Sequence, residues 1–346
     1  MRVAVGLSGG VDSAVAAARL LEAGHEVTGV HYAFSRRPGE GAAPDARAVA
    51  DFLGIGFENW DFSDAFREQI MGYFVDTYEA GRTPNPCVRC NSTMKFGTVL
   101  ERALASGFDA LATGHYARVE HDGGETVLRR AVDSTKDQSY VLAVLRPDQL
   151  ARVVFPLGGS TKREVRAEAA RRGIPVACKP DSLDICFIPD GDTAGFLARR
   201  LGVRPGTIVD SGGAVLGEHA GAHGFTIGQR KGLRLGRPAA DGQPRYVTGV
   251  DPASNTVTVG PRQALQVARI ECAPASWTTA SLTGEFRALV QVRAHGEPMP
   301  ARVRVSGSAT SIELDAPAYG IAPGQAAVFY DGDRALGLAT IESTAP

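Results

Sequence analysis

Val3-Ala4-Val5-Gly6-Leu7-Ser8-Gly9-Gly10-Val11-Asp12-Ser13 is the stretch on which the reading of this chain turns. The apolar run from Val3 to Leu7 predicts a buried strand. A glycine-rich turn follows, and a helix is expected to start near Asp12 or Ser13. Adjacent glycines reach backbone angles closed to other residues and let the turn approach a ligand closely. The hydroxyls of Ser8 and Ser13 and the N–H groups of the first helical turn are then expected to face one point. Such a nest suits phosphate or pyrophosphate. No Lys follows the second glycine, so the spacing is not that of the mononucleotide loop. Asp12 stands instead where a Mg2+ ligand would be useful. The site would hold a β,γ-pyrophosphate as leaving group while the α-phosphate reacts.

The chain has 346 residues, enough for two or three domains, each with its own core. With 44% hydrophobic and 22% charged residues it has the composition of a soluble globular protein. No apolar run approaches a membrane span, and the first residues lead into a strand rather than a signal peptide. A cytoplasmic location is therefore expected, where cysteines are reactive or metal-binding more often than bridged. The net charge of −1 does not advertise a nucleic-acid binder, which leaves that role to a local patch.

Up to about residue 195 strand-like and helix-like runs alternate, which argues for a parallel sheet covered by helices. Strands are expected at Val3–Leu7, Glu26–Tyr32, Phe57–Trp60 and Ala110–Thr113. Helices are expected at Ser13–Ala23, Ala46–Leu53, Asp64–Ala80 with Asp64 as its cap, Asn91–Ser106 and Lys162–Arg172. Beyond 195 helical periodicity is expected to disappear. Residues 196–262 carry nine Lys/Arg against four Asp/Glu and read as a small, basic, loop-rich module with short strands. From 263 to 346 evenly spaced strands (Arg287–Arg293, Ala301–Val305, Ser311–Leu314, Ala326–Tyr330, Leu336–Ile341) indicate an antiparallel β-barrel or sandwich.

Five cysteines complete the inventory: Cys87, Cys90, Cys178, Cys186 and Cys272. Cys87-x-x-Cys90 lies beside Pro84 and Pro86 and is expected on an exposed loop. Cys186 lies in another loop-like stretch, Asp181 to Phe187. Nearby cations lower a thiol's pKa, and Arg89 or Lys95 would serve Cys90 while Lys179 would serve Cys186. A structural zinc site would need Cys178 and Cys186 as its second pair, and their spacing is poor for that. The favoured reading is a reactive thiol pair meeting across the nucleotide site. A variant is an iron–sulfur cluster on Cys87, Cys90 and Cys186 with one iron open to sulfide.

Taken together, these residues resemble the bacterial tRNA-specific 2-thiouridylases (tRNA-uridine 2-sulfurtransferases). The resemblance runs along essentially the whole chain. It is carried by Gly6–Ser13, by Gly81-Arg82-Thr83-Pro84-Asn85-Pro86 through Cys90-Asn91 to Lys95-Phe96, and by Thr113-Gly114-His115-Tyr116. Lys136-Asp137-Gln138-Ser139-Tyr140, Asp181-Ser182 through Ile185-Cys186-Phe187-Ile188, Gly228–Leu233 and Pro323-Gly324-Gln325 extend it. It implies a PP-loop α/β domain of the adenine nucleotide alpha-hydrolase-like kind (1–195), a small β-rich central domain (196–262) and a C-terminal antiparallel β-barrel that contacts tRNA (263–346).

The implied reaction is ATP-dependent 2-thiolation of the wobble uridine. The C2 oxygen is adenylated, and sulfur then comes from a persulfide on Cys186, with Cys90 as nucleophile and a Cys90–Cys186 disulfide able to close the cycle. The same resemblance places Gly6, Leu7, Ser8, Gly9, Gly10, Val11, Asp12, Ser13, Tyr32 and Gly114 around ATP, with Mg2+ at Asp12. It places Asn85, Pro86 and Cys87 at a flipped-out base, and His115, Lys136, Asp137, Gln138, Arg293 and Gln325 against tRNA. The cations of the central module would hold phosphate backbone. A sulfur-relay protein or cysteine desulfurase, tRNAs for Lys, Glu and Gln, and a monomeric state are implied as well. Departures are Cys87, where many relatives carry Asp, Met94, Ala294, and a short segment from Ser35 to Pro44. A PP-loop ligase or amidotransferase would not need paired thiols, and an RNA-binding regulator would not need a complete nest.

Overall fold

The computed structural model describes residues 1–34, 43–181, 185–233, 235 and 242–346. Most of the short segment from Ser35 to Pro44, part of the stretch leading to Cys186, and Arg234, Arg237 and Asp241 of the central charge count lie outside the described residues.

Five parallel strands form the first sheet, in the order Gly56–Asp61, Glu26–Ala33, Arg2–Gly6, Ala110–Ala112, Val153–Val154. Side chains alternate along a strand, so Val3 and Val5 enter one core with Val11, Val15, Val49 and Val165. Ala4 enters the other, with Val30, Trp60, Phe66, Met94 and Leu111. Burial on both faces is why the sequence shows an unbroken apolar run here. The chain leaves Arg2–Gly6 for a neighbour on one side and returns to Ala110–Ala112 on the other. Ligands of open α/β sheets bind at the carboxyl ends of strands at such a switch point.

Two helical runs line this domain's second face, and both are wound wide in part. Ser63–Phe66 continues through a π-helical stretch, Arg67–Gly72, into Tyr73–Glu79. Asp64 is inside the first turn rather than its cap. The Asp61 carboxylate accepts instead from the Ser63 backbone N–H (2.8 Å) and hydroxyl (2.6 Å). Pro86–Arg89 likewise continues through a π-helical stretch, Cys90–Val99, into Leu100–Ala105. Gly97 is needed there, since a Cβ would come 3.0 Å from the Ser92 carbonyl oxygen. Such wide turns are frequent at functional sites.

Helical structure does not stop at 195. Thr193–Leu201 is a helix, capped by the Asp192 carboxylate on the Gly195 N–H (2.8 Å) and ended by Gly202 at φ +79. Phe196 and Leu197 bury its apolar face against Phe74 of the first domain. A boundary at 195 would fall inside it. The central module then builds a four-stranded sheet, Tyr246–Asp251, Thr256–Gly260, Gly206–Val209, Val215–His219, around Ile208, Val247, Val257 and Val259.

The C-terminal strands close into a six-stranded antiparallel barrel. Gln266–Cys272, a strand not expected from the sequence, pairs on one side with Ala309–Tyr319 and on the other with Arg334–Ala345. Met299–Ser306 shows the alternation of a barrel wall, with Ala301, Val303 and Val305 inward.

The first domain also reaches into this sheet. A hairpin, Arg118–Asp122 and Glu125–Arg129, turns on Gly123 and Gly124, both at positive φ. Its second strand pairs with the last barrel strand, Arg129 opposite Arg334 and Leu128 opposite Ala335. Asp333 lies over the joint and binds Arg118 (2.5 Å) and Arg129 (2.6 Å). One carboxylate shared by two guanidinium groups should exceed an isolated surface pair. Asp333→Ala is expected to cost about 1 kcal/mol and lower the apparent melting midpoint by roughly 2 °C. An unchanged midpoint would mean that the main-chain pairing alone carries the joint.

Candidate active site

At the carboxyl end of the first strand the loop closes on itself. The helix begins at Val11, one turn position earlier than expected, with Gly10 before it and no side chain capping its first N–H groups. Those donors are left for a ligand. Gly9 takes φ +69, a conformation that favours glycine. Ser13 does not face outward: it is 4% exposed, and its hydroxyl accepts from the Ser8 N–H (3.2 Å) and donates to the Gly10 carbonyl (3.1 Å). It braces the loop, and the exposed Ser8 hydroxyl, 3.2 Å from it, is the outward group.

Leu7 and Val11 anchor the loop in the core, while Gly6 and Gly114 are required by close packing. A Cβ on Gly6 would overlap the Tyr32 hydroxyl, and one on Gly114 would come 2.8 Å from the Ser13 nitrogen. The Tyr32 hydroxyl is buried and has no hydrogen-bond partner among the described residues. Burial pushes its phenol well above the usual range, so it stays protonated. An orphaned buried hydroxyl beside the nest fits a nucleotide that would supply its partner.

Cations surround the loop that the sequence pattern did not single out. Lys162, at the start of helix Lys162–Arg171, places Nζ 2.7 Å from both Asp12 carboxylate oxygens, and the Tyr116 hydroxyl donates to one of them (2.9 Å). Asp12 is thus engaged, and a Mg2+ there would compete with Lys162. Lys162 also lies 3.0 Å from Asp181, which binds Lys136 (2.8 Å) and Arg166 (2.5 Å). The Lys136 ammonium, with Lys162 and Arg166, holds the Asp181 carboxyl below the usual carboxylate range. Lys179 donates to the Gly9 carbonyl (3.0 Å) and to Asp45 (2.5 Å). It therefore serves the nest and not Cys186. A Thr161–Glu164 capping box starts this helix, and nothing in the sequence pattern points Lys162 at Asp12.

The cysteine pair is helical rather than looped. Asn85 caps the helix by accepting from the Val88 N–H (3.1 Å), and Pro86 occupies its first turn. Cys87 is exposed, whereas Cys90 is 9% exposed at the start of the wide-wound stretch. Burial pushes the Cys90 thiol up to about 11, opposed by the Lys95 ammonium, with Cys186 and Cys87 adding to the rise. Cys186 is exposed at the surface, although the atoms packed around its sulfur raise the thiol and Lys95 again opposes the rise. One cation therefore serves both thiols. Arg89 instead lies over the Tyr73 ring, 5.6 Å from its centroid.

Lys95 Nζ is 3.5 Å from His115 Nε2, and His115 Nδ1 is 2.7 Å from the Thr113 hydroxyl. His115 is 8% exposed, and burial together with Lys95 holds its pKa well below 6.5. Through Gly114, this histidine joins the nest to the thiols. No three His, Cys, Asp or Glu side chains converge as a metal site among the described residues. Cys87, Cys90 and Cys186 share an electrostatic neighbourhood but are not arranged to hold a cluster, nor do Cys178 and Cys186 complete a zinc site. Cys272 is buried in the barrel.

The residues expected against tRNA divide. Asp137 is spent internally on the Ala131 and Ser139 N–H groups (3.0 and 3.1 Å) and the Ser139 hydroxyl (2.8 Å). The Gln138 side-chain carbonyl accepts from the Tyr116 N–H (2.9 Å). Gln325 Nε2 donates to the carbonyls of Thr83 (3.2 Å) and Pro84 (2.8 Å). Arg293 is exposed beyond strand Gly284–Gln291.

The order of thiol reactivity follows from burial. Iodoacetamide at pH 8 should label Cys87 and Cys186 about tenfold faster than Cys90, and Lys95→Met should slow Cys90 by a further ~3- to 10-fold. Peptide mass spectrometry reads each site, and equal rates at all three would contradict this electrostatic picture.

Comparison with known proteins is consistent along the chain. A family described as the tRNA methyl transferase HUP domain matches residues 1–190. One described as the tRNA methyl transferase PRC-barrel domain matches 194–261, and an aminomethyltransferase beta-barrel domain matches 267–341. A tRNA-specific 2-thiouridylase of Cutibacterium acnes is 54% identical over 355 residues, covering 99% of this chain and 97% of its own. Proteins of the same description from Kineococcus radiotolerans and a Nocardioides species are 55% and 56% identical. They cover 100% and 99% of this chain, and 100% and 98% of their own. With an uncapped phosphate nest, two thiols under one lysine and relatives matched from end to end, the chain belongs to the tRNA-specific 2-thiouridylase family.

Proposed function

We propose that this chain is an ATP-dependent tRNA-uridine sulfurtransferase that replaces the C2 oxygen of the wobble uridine with sulfur. The observation that carries the reading is the continuity of nest and thiols. The open helix start at Val11 leads through Gly114 and His115 to Lys95, which serves both Cys90 and Cys186. A methyl transfer, which two of the family descriptions name, would use neither a pyrophosphate nest nor this thiol pair.

In the proposed sequence the uridine O2 attacks the α-phosphorus of ATP and pyrophosphate leaves into the nest. The free N–H groups after Gly10, the Ser8 hydroxyl, Lys162 and Lys179 supply the donors and positive charge that anion needs. Asp12 would hold a Mg2+ that shields the departing phosphates once Lys162 turns to them. Asn85, Pro86 and Cys87 would line the extruded base. The terminal sulfur of a Cys186 persulfide, loaded by a sulfur-relay protein or cysteine desulfurase, attacks C2, and the bond to the AMP oxygen breaks. Cys90 gives up its thiol proton, taken up by N3 of the base, as its sulfur attacks the Cys186 sulfur, giving a Cys90–Cys186 disulfide and leaving the sulfur on the base. An external thiol reductant supplies two electrons to reopen that disulfide.

Lys136, Arg293 and the cations of the central module would meet the tRNA backbone, with tRNAs for Lys, Glu and Gln as substrates. Asp137, Gln138 and His115 would act by shaping that surface from within, and Gln325 by holding the Thr83 and Pro84 carbonyls. Three domains meeting near Asp192 and between Pro261 and Gln266, a monomeric state and a cytoplasmic location complete the proposal. Among the described residues no helix is long and apolar enough to cross a membrane.

The test incubates the protein with ATP, unmodified transcript and a persulfide source, then weighs the nucleosides and quantifies AMP and pyrophosphate. Cys90→Ser and Cys186→Ser should each lower thiolation by about 100-fold or more while leaving first-turnover pyrophosphate release within about threefold. Lys162→Met should lower both, by roughly 100-fold. Two fully active cysteine variants would exclude the thiol mechanism. Absence of any oxygen-to-sulfur exchange in the parent protein would exclude the reaction.

A further inference from the structure

The thiol helix is built by the first domain, but the segment leading into it is held by the barrel. The Thr83 N–H donates to the Pro323 carbonyl (2.8 Å). The Gln325 amide then donates to both the Thr83 and Pro84 carbonyls (3.2 and 2.8 Å). Gly324 takes φ +95, and a Cβ there would come 2.6 Å from the Thr83 carbonyl oxygen. The barrel therefore touches this segment backbone to backbone. Gln325 is itself pinned, because its carbonyl accepts from Ile341 N–H (2.8 Å), and Ile341 also accepts from Gly324 N–H (2.8 Å) and Arg82 (3.0 Å). A second route runs beside it. The Tyr140 hydroxyl donates to the Ala326 carbonyl (2.9 Å) and accepts from Asn85 Nδ2 (3.4 Å), whose Oδ1 caps the helix at Val88.

Pro84 and Pro86 make this arrangement stiff. Each locks φ and lacks an N–H, and each restricts the residue before it. Four residues with two prolines cannot absorb a displacement at Thr83 by local rotation, so it passes to Asn85 and the start of the thiol helix.

We propose that Gln325 is a positioning residue for Cys90: its amide holds the Thr83 and Pro84 carbonyls so that the seating of the barrel sets the placement of the thiol helix. For its catalytic readout this rests on the sulfur-transfer reading above. The resemblance places Gln325 against tRNA, whereas here its two N–H groups are occupied by the protein's own carbonyls. The barrel's seating on tRNA would then reach the sulfur chemistry through the protein.

The experiment compares Gln325→Ala and Gln325→Glu with the parent protein. Glu keeps the shape but loses both donors and sets a carboxylate against two carbonyls, so it should be the more severe. Affinity for unmodified tRNA should stay within about twofold while kcat for thiolation falls about tenfold or more, since misplacement of a reacting group by an ångström costs that much or greater. Cys90 alkylation without RNA should rise about tenfold as the helix start loosens, with Cys186 unchanged. The proposal is overturned if tRNA affinity falls while kcat at saturating tRNA is kept, which would make Gln325 a direct RNA contact. It is also overturned if Cys90 reactivity does not change, whatever happens to kcat or to the melting midpoint. The alkylation readout needs no turnover, so it judges the clamp even if the parent protein makes no thiouridine.

Discussion

The whole arrangement depends on the joint between the C-terminal barrel and the first domain being made of main-chain hydrogen bonds. Side-chain interfaces can slide by fractions of an ångström, but a paired strand or a carbonyl held by an amide has one register. Here there are two such joints. The hairpin Glu125–Arg129 extends the barrel sheet at Arg334 and Ala335, and Thr83 bonds to Pro323. Between them lie the buried contacts of Ser139 with Tyr330 (3.0 Å) and of Tyr140 with Ala326. The proposed chemistry would bring a nucleobase within reach of a sulfur and a phosphorus, and a frame whose parts are tied backbone to backbone suits that demand.

Electrostatics at the nest follow the same economy. Lys136, Lys162, Arg166 and Lys179 converge near the loop, and Asp12, Asp45 and Asp181 neutralise them. Unpaired charges at partly buried positions are costly, so the carboxylates occupy the role that phosphates would take. At the thiols burial dominates: Cys90 is held as a neutral thiol despite the lysine beside it. Lys95 is in turn fixed by a histidine that burial keeps uncharged, so that His115 Nε2 is free to accept from the ammonium.

Several features were legible along the chain because they are local. The apolar run into Ser8-Gly9-Gly10 specifies a buried strand and a tight turn whatever surrounds it. The strand at 301–305 announced itself by alternation, and that at 326–330 by an apolar run bounded by turn residues. Others had local signals of a subtler kind. Gly123-Gly124 between short alternating runs is the mark of a two-residue hairpin, and Asp192 three residues before Gly195 is that of a helix cap. Two prolines beside Cys87 suggested a loop, yet Pro86 is suited to the first turn of a helix that Asn85 caps.

By itself the sequence determined the strand, the glycine turn and the helix start of Val3–Ser13 and the alternation of strand and helix in the first domain, since these rest on backbone preference and short-range pattern. Tertiary structure alone decided which charges meet: that Lys162 faces Asp12, that Lys95 rather than Lys179 or Arg89 serves the thiols, and that Gln325 reaches Thr83 across 242 positions of chain. Long side chains carry no periodic signature of their partners. Where a lysine or a glutamine ends is set by how separate cores pack, and that packing is a property of the folded whole.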